Sequence, residues 1–268
     1  MIVKMVENGI SMYFNEKISS EFAEQEQNDK NRAVADIFDR IVLEKFSNFN
    51  DPLHVAELGG GAHPDRYHRI FERLLKNKGL IDWVDISPVM LNLAKKYLNK
   101  KEYIQRKEVI SFIKKDLIEY LNELKNDSLD FVLMKYTFDH LKDIEILIKL
   151  LSKKLKKNGF LIANLTTVSP MLKSFSTNAK YLYKNQEFPE NETRTLNEGE
   201  EFIVKHLKVS GDPSRGCIEG AQVTKYYHSP KKIKDICKKY NLNIFIGDWK
   251  KLLNLKEGMN QDVVLITK

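Results

Sequence analysis

Along residues 52–167 the hydrophobic and polar positions alternate between short apolar runs and longer stretches of helical period. Five runs predict strands: Leu53–Leu58, Leu80–Asp85, Val109–Ile113, Phe131–Lys135 and Phe160–Leu165. Helical patterns separate them. The first begins near Pro64, a good first-turn residue, and ends before Gly79. Another opens on Ser87 as N-cap, followed by Pro88, and runs through "VMLNLAKKYL". A later one, "DIEILIKLLSKKLKK", is stopped by Asn158-Gly159. Such alternation predicts a parallel sheet with helices on both faces. Ligands of such sheets bind at the carboxyl ends of strands, near the switch in strand order. Glu57, Asp85, Asp116 and the stretch Lys135 to His140 fall at or just beyond those ends, which assigns them to one site.

The pattern changes on either side of this core. A long helical period runs from Ser19 to Phe46. Residues 168–200 read as loop and helix, with "NQEFPENETRTLNEGEE" as a surface loop. "EFIVKHLKVS" and "CIEGAQVTKYYH" predict two strands around the turn "GDPSRG", a hairpin. Ser229 caps a helix, "SPKKIKDICKKY", and "NIFIGDW" and "DVVLITK" predict two last strands that close the sheet as an antiparallel pair. The expected fold class is α/β: a Rossmann-like, seven-stranded, mostly parallel sheet with helices on both faces, an N-terminal helical segment and an antiparallel lid hairpin. The expected organisation is an N-terminal helical cap (1–50), a core (51–167 and 229–268) and an inserted lid segment (168–228).

Composition narrows the class. The 268 residues are 42% hydrophobic and 30% charged, as in globular proteins. No apolar run approaches the length of a membrane span, and the start, "MIVKMVENGISMYF", is a poor signal peptide. Cys217 and Cys237 lie far apart, as expected of reduced thiols in a cytoplasmic protein. The net charge of +7 comes mainly from scattered lysines rather than from clustered arginine, so a nucleic-acid partner is not expected.

The stretch "HVAELGGGAHPD" carries the most chemistry. A dinucleotide would need Gly-x-Gly-x-x-Gly, and here the third glycine is missing. Glu57 would also face a pyrophosphate, a repulsion of about 1 to 4 kcal/mol at 4 Å. An acid followed by Gly59, Gly60 and Gly61 suits a cationic amino-acid head better. The stretch resembles the first motif of the class I S-adenosylmethionine-dependent methyltransferases, with His63 where a further glycine is usual. The resemblance implies a cofactor, S-adenosylmethionine. It implies that Asp85 accepts hydrogen bonds from both ribose hydroxyls and that Ile86 lies against the adenine. Asp116, with the Leu117 backbone, would meet the adenine amino group, and Lys135 in "DFVLMKYTFDHL" would stand where the chain passes the methyl group.

The acceptor is harder to read. After the fourth strand there is no Asn/Asp-Pro-Pro-Tyr/Phe motif of base or glutamine methylation, and no cysteine for cytosine chemistry. Asp139 is the only acid there, too few for a metal site. The late hairpin resembles the lid of small-molecule N-methyltransferases, particularly amino-sugar N,N-dimethyltransferases. That resemblance implies His140 beside the acceptor amine, as a base with a pKa near 7, and Tyr13 as a second polar contact. Tyr226, Tyr227 and His228 either line the acceptor pocket or form a packed aromatic edge.

The expected activity is methyl transfer to an amine or hydroxyl of a small-molecule acceptor, with no membrane partner. Two alternatives are an RNA or protein methyltransferase using the basic surface, and a non-catalytic binding module. A nicotinamide-dependent reductase would need Tyr-x-x-x-Lys in mid-chain; Tyr13 and Lys17 have that spacing but precede the first core strand. The oligomeric state is left open, a homodimer included.

Overall fold

The computed structural model describes residues 11–25, 29–45, 52–166, 169–176, 179–209, 212–256 and 262–268. Residues 1–10, which carry most of the stretch read as a poor signal peptide, lie outside them, as does Gly211 of the hairpin turn. The long N-terminal helical period contains two helices, α1 (Glu16–Gln25) and α2 (Asp29–Lys45).

The core then runs β1 (His54–Leu58), α3 (His68–Asn77), β2 (Leu80–Asp85), α4 (Pro88–Leu98), β3 (Ile110–Lys114), α5 (Leu117–Glu123), β4 (Leu129–Met134), α6 (Ile144–Lys154) and β5 (Leu155–Asn164). Pro64 opens a short 3-10 turn rather than α3 itself. Helix α3 has no side-chain cap of its own; Asp39 of α2 accepts from the Arg69 and Ile70 amides at 3.0 and 3.2 Å instead. Ser87 caps α4 by accepting from the Met90 amide at 3.1 Å.

Three small strands follow, β6 (Met171–Lys173), β7 (Ala179–Tyr183) and β8 (Thr193–Thr195), and then the hairpin β9 (Glu201–Leu207) and β10 (Cys217–Tyr226). The chain ends with α7 (Pro230–Lys239), β11 (Asn243–Asp248), α8 (Trp249–Leu252) and β12 (Asp262–Thr267).

Seven strands form one sheet in the order β11-β12-β5-β4-β1-β2-β3. Strands β1 to β5 are parallel, and β12 runs antiparallel to both β5 and β11. The chain moves outward from β1 through β2 to β3, then returns to place β4 on the other side of β1. That reversal opens a crevice between the ends of β1 and β4. Period-two alternation sorts the side chains: Val55 and Leu133 pack with α2 and α3, while Ala56, Val132 and Met134 pack with α6 and α7.

The expected sheet is present, and two details differ. Helix α6 ends at Lys154, and β5 begins at once, so Asn158 and Gly159 lie inside a strand rather than after a helix. A register shift between Leu129 and Phe131 accommodates the left-handed Asn158, φ 68°. Residues 168–200, expected as loop and helix, carry strands. β7 pairs antiparallel with β9, and its Tyr-Leu-Tyr sequence favours a pleated, half-buried surface.

The sheet β10-β9-β7 stands over the carboxyl edge of the main sheet, with α1 against it. Phe22 and Ala23 of α1, Val204 of β9 and Val223 of β10 share one apolar cluster with Ala62 and Met90 from the core. Gly220 lies at a bulge in β10 with φ 74°, and a Cβ there would fall 2.7 Å from Ile18 Cδ1. The bulge is what lets α1 sit this close.

Candidate active site

A cavity of about 300 Å³ opens at the crevice. Its floor is the turn after β1. The Gly59 and Gly60 amides both donate to Val84 O, at 2.9 and 3.0 Å. A Cβ on Gly60 would stand 2.4 Å from Trp83 Nε1, which donates to Gly61 O at 2.9 Å. Gly59 has φ 73°, and a Cβ there would lie 2.4 Å from Thr137 Oγ1 of the β4 loop. The turn is therefore clamped between β2 and the loop after β4, with no room for side chains.

Asp85 ends β2 and borders the cavity. Its Oδ2 accepts from the Gly61 amide and its Oδ1 from the Ser87 amide, both at 2.8 Å. Burial pushes its carboxyl up to about 6 despite those two amides. Asp116 caps α5: its Oδ1 accepts from the Ile118 and Glu119 amides at 2.8 and 3.3 Å. Ile86, Leu117 and Lys135 also border the cavity, with Gly59, Gly60 and Gly61.

Glu57 does not border it. Strand period turns its side chain to the face shared with Val55, and it is 1% exposed. Its neighbours are Tyr67 and Lys135, whose charge and hydrogen bonding favour the carboxylate. Burial pushes this carboxyl up to about 8, with Lys135 opposing. The expectation that Glu57 meets the ligand head directly is thus corrected; it lies behind the glycine turn.

His63 stands where a glycine would complete the motif. Its Nε2 donates to Ala23 O of α1 at 2.8 Å, and its ring packs 4.5 Å from that of Tyr97. The substitution ties the glycine turn to the N-terminal helix.

The other end of the cavity is bordered by Tyr13, Phe22, Tyr136, His140, Tyr181, His206 and Lys225. Tyr13 lies edge-on to Phe22, with ring centroids 5.8 Å apart, and its carbonyl accepts from the Ser87 hydroxyl. His140 lies in a short 3-10 turn after β4. Burial, then the Lys225 ammonium, pushes its imidazole down to about 3. His140 is therefore neutral near pH 7, which corrects the expectation of a base with a pKa near 7.

Lys225 was not singled out by its sequence. It is 4% exposed, and its Nζ donates to Asp139 Oδ1 at 2.8 Å and to Tyr136 O at 3.0 Å. Asp139 also accepts from the Thr166 amide at 2.8 Å. Burial alone would raise the Asp139 carboxyl, but Lys225 and these hydrogen bonds hold it below the usual range. Tyr136 has φ 58°, a costly conformation for an aromatic residue, of order 1–3 kcal/mol. It is held from both sides: its amide donates to Asn164 Oδ1 at 2.8 Å, and its carbonyl receives Lys225. Tyr226, Tyr227 and His228 are buried but do not border the cavity; His228 Nε2 donates to Leu141 O at 2.7 Å. They form the packed edge.

Residues 57–163 match the sequence model of a family described as a methyltransferase domain. That stretch is a methyltransferase domain. No curated protein matches the sequence. Among solved structures the methyltransferase is similar in fold to an S-adenosylmethionine-dependent methyltransferase from Clostridium acetobutylicum ATCC 824, at 15% identity and TM-score 0.54, over 92% of this chain and 98% of that one. It is similar to a second from Aquifex aeolicus, at 15% identity and TM-score 0.51, over 93% and 97%. A third neighbour is phospholethanolamine N-methyltransferase 2 of Haemonchus contortus, at 14% identity and TM-score 0.53. It was solved with phosphomonomethylethanolamine and S-adenosylhomocysteine, and the match spans 95% of this chain and 57% of that one.

The residues of the methyltransferase fit its cofactor. A carboxylate accepts at about four lone-pair sites; two on Asp85 serve backbone amides, and the rest are available to hydroxyls. Asp116 gives both its helix-capping bonds from Oδ1, so Oδ2 is available to an amino group. The glycine turn presents bare backbone to the cavity. Among the described residues, no helix is long and apolar enough to cross a membrane.

Proposed function

We propose that the methyltransferase methylates an amine or hydroxyl of a small molecule. What carries this reading is the cavity itself: it continues from Asp116 at the β3 end to Lys225 in β10, and α1 with the β10-β9-β7 sheet walls its far half. A cavity walled in this way suits small molecules, not a folded protein or a base-paired nucleic acid, which would need an open surface. The nematode neighbour, solved with a small acceptor and the spent donor, supports the same use of the fold. The resemblance of the late hairpin to amino-sugar N,N-dimethyltransferases is in keeping with it.

In this reading Asp85 receives the ribose hydroxyls, Asp116 and the Leu117 backbone the adenine amino group, and Ile86 the adenine face. Gly59, Gly60, Gly61 and Lys135 surround the methionine part, and Glu57 acts on it from behind the turn. When bound, S-adenosylmethionine supplies a methyl group on a sulfonium. The protein's own contribution is to hold the acceptor about 3 Å from that methyl in a dry site. His140, neutral, borders the acceptor half and orients the acceptor; Tyr13 is the second polar contact. Residues 1–50 act as a cap and residues 168–228 as a lid over the core. The free thiols Cys217 and Cys237 suit a reducing, cytoplasmic setting.

A turnover screen with methyl-labelled S-adenosylmethionine over amine and hydroxyl metabolites, with RNA and a protein extract alongside, tests the reading. Label in at least one metabolite is the expected result. Label confined to RNA or protein would replace it with the basic-surface alternative.

A further inference from the structure

The acceptor half of the cavity has an uneven charge distribution. Its bordering acids, among the described residues, are Asp85 and Asp116, and both lie at the β2 and β3 ends. At the far end Lys225 borders the cavity, while its ion-pair partner Asp139 is buried and does not border it. An ammonium has three donors. Two are used, on Asp139 and on the Tyr136 carbonyl, and the third has no partner among the described residues.

We infer that Lys225 is a specificity-determining residue, and that the acceptor is an acidic hydroxyl compound, a phenol or a carboxylic acid, bound as its oxyanion on the free Lys225 donor. This rests on the reading of the protein as a small-molecule methyltransferase and selects among its acceptors.

The electrostatics favour the oxyanion over an amine. An anion at hydrogen-bonding distance from Nζ stands about 1.6 times as far from Asp139, because ammonium donors diverge tetrahedrally, so about 40% of the bare attraction to the ammonium survives. A protonated amine would meet the reverse sign, and among the described residues no carboxylate borders this end to hold it. The Tyr136 ring, which could offer a cation its face, already lies 5.9 Å from the Lys225 ammonium. His140 reports on the same environment: with Lys225, Asp139, His206 and the Tyr136 backbone around it, it is held unprotonated. It cannot serve as the base that would deprotonate an ammonium ion. An acidic hydroxyl needs no such base, because it loses its proton to solvent before binding. Its oxygen lone pair then forms the new O–CH3 bond as the C–S bond breaks onto sulfur. Anion and sulfonium give a neutral methyl ether or ester and a neutral thioether.

Binding to the protein loaded with S-adenosylhomocysteine tests this without turnover. The probes are 4-nitrophenolate, benzoate and the uncharged reference 4-nitroaniline, with dissociation constants from absorbance or calorimetry. At least one oxyanion should bind about tenfold or more tightly than 4-nitroaniline, and which one does so separates a phenol from a carboxylic acid. The preference should vanish in the double variant Lys225→Met/Asp139→Asn, which removes the ammonium without leaving a buried carboxylate. Retained S-adenosylhomocysteine affinity shows that this variant is folded; if it is lost, Lys225→Gln provides the same comparison. Equal binding of all three probes to the wild type, no oxyanion binding, or a preference that survives loss of Lys225 would overturn the inference. Failure of the wild type to bind S-adenosylhomocysteine at all would instead strike the methyltransferase reading.

Discussion

The two ends of the cavity are made of different material. The end beside β1, β2 and β3 is mostly backbone: Gly59 and Gly60 pressed against Thr137 and Trp83, Asp85 fixed by the Gly61 and Ser87 amides, and Asp116 by the first amides of α5. The end beside β10 is side chains, held by contacts between distant parts of the chain, as in the Lys225–Asp139 pair that spans 86 positions. The first end is rigid because backbone amides and carbonyls make its hydrogen bonds, within each turn and between the ends of β1 and β2. The second is rigid because an ion pair and a strained Tyr136 constrain one another. Under the proposed function, the first serves any reaction that uses the same donor and the second carries the choice of acceptor.

Four substitutions probe this contrast, from the largest effect to the smallest. Lys225→Met removes one partner of a buried pair, leaves Asp139 uncompensated and releases Tyr136. It should lower unfolding free energy by about 3–5 kcal/mol, measured by urea denaturation, while Lys225→Met/Asp139→Asn recovers most of the loss. Equal stability of the two variants would mean that the pair does not hold the acceptor end. Asp85→Ala leaves the Gly61 and Ser87 amides without their acceptor and takes the ribose partner away. S-adenosylmethionine affinity should fall about 100-fold, near 3 kcal/mol; unchanged affinity by calorimetry would remove Asp85 from the site. His140→Ala should lower turnover about tenfold, the worth of one orienting hydrogen bond, with cofactor affinity preserved, and a matching loss of affinity would place His140 in the wrong compartment.

The smallest effect is a pH slope. The Glu57 carboxyl is raised in the fold to about 8 from an ordinary 4.5. Its contribution to stability is full below 4.5 and is lost as pH rises through 8, because the folded state keeps a proton that the unfolded chain releases. Without cofactor, stability should therefore fall by about 1 kcal/mol per pH unit between roughly 6.5 and 8. Below 6.5 His140 opposes this, since the unfolded chain gains a proton that the fold refuses. Glu57→Gln should flatten the upper slope. A slope that persists in Glu57→Gln would assign it to another group.

The same contrast explains what the sequence made legible. Glu57, Asp85 and Asp116 were readable because each stands at a fixed offset from a strand end, and strand ends follow from local hydrophobic period. That rule located Glu57 correctly along the chain but not its side chain, because alternation across β1 turns it away from the cavity. Lys225 was invisible as one of 44 basic residues; only pairing of β10 with β9 sets it opposite the β4 loop. Tyr181 fell in a stretch read as loop and helix, because strands as short as β6, β7 and β8 carry little periodic signal. The end of β10 was recognised as relevant, but Val223 and Lys225 occupy the face that borders the cavity, and the strand stops at Tyr226 before the pattern reaches Tyr227. His63 departed from the motif, and its reason, a bond to Ala23 forty positions earlier, has no local trace.

That bond has a mechanical outcome. Phe22 and Ala23 are successive residues of one helix; the first borders the acceptor compartment, and the second is gripped by His63 beside the glycine turn. A ligand that shifts the turn pulls on the opposite wall through this imidazole and the apolar contacts beside it. Donor and acceptor occupancy are thereby thermodynamically linked, and each ligand should change the other's affinity by the same factor.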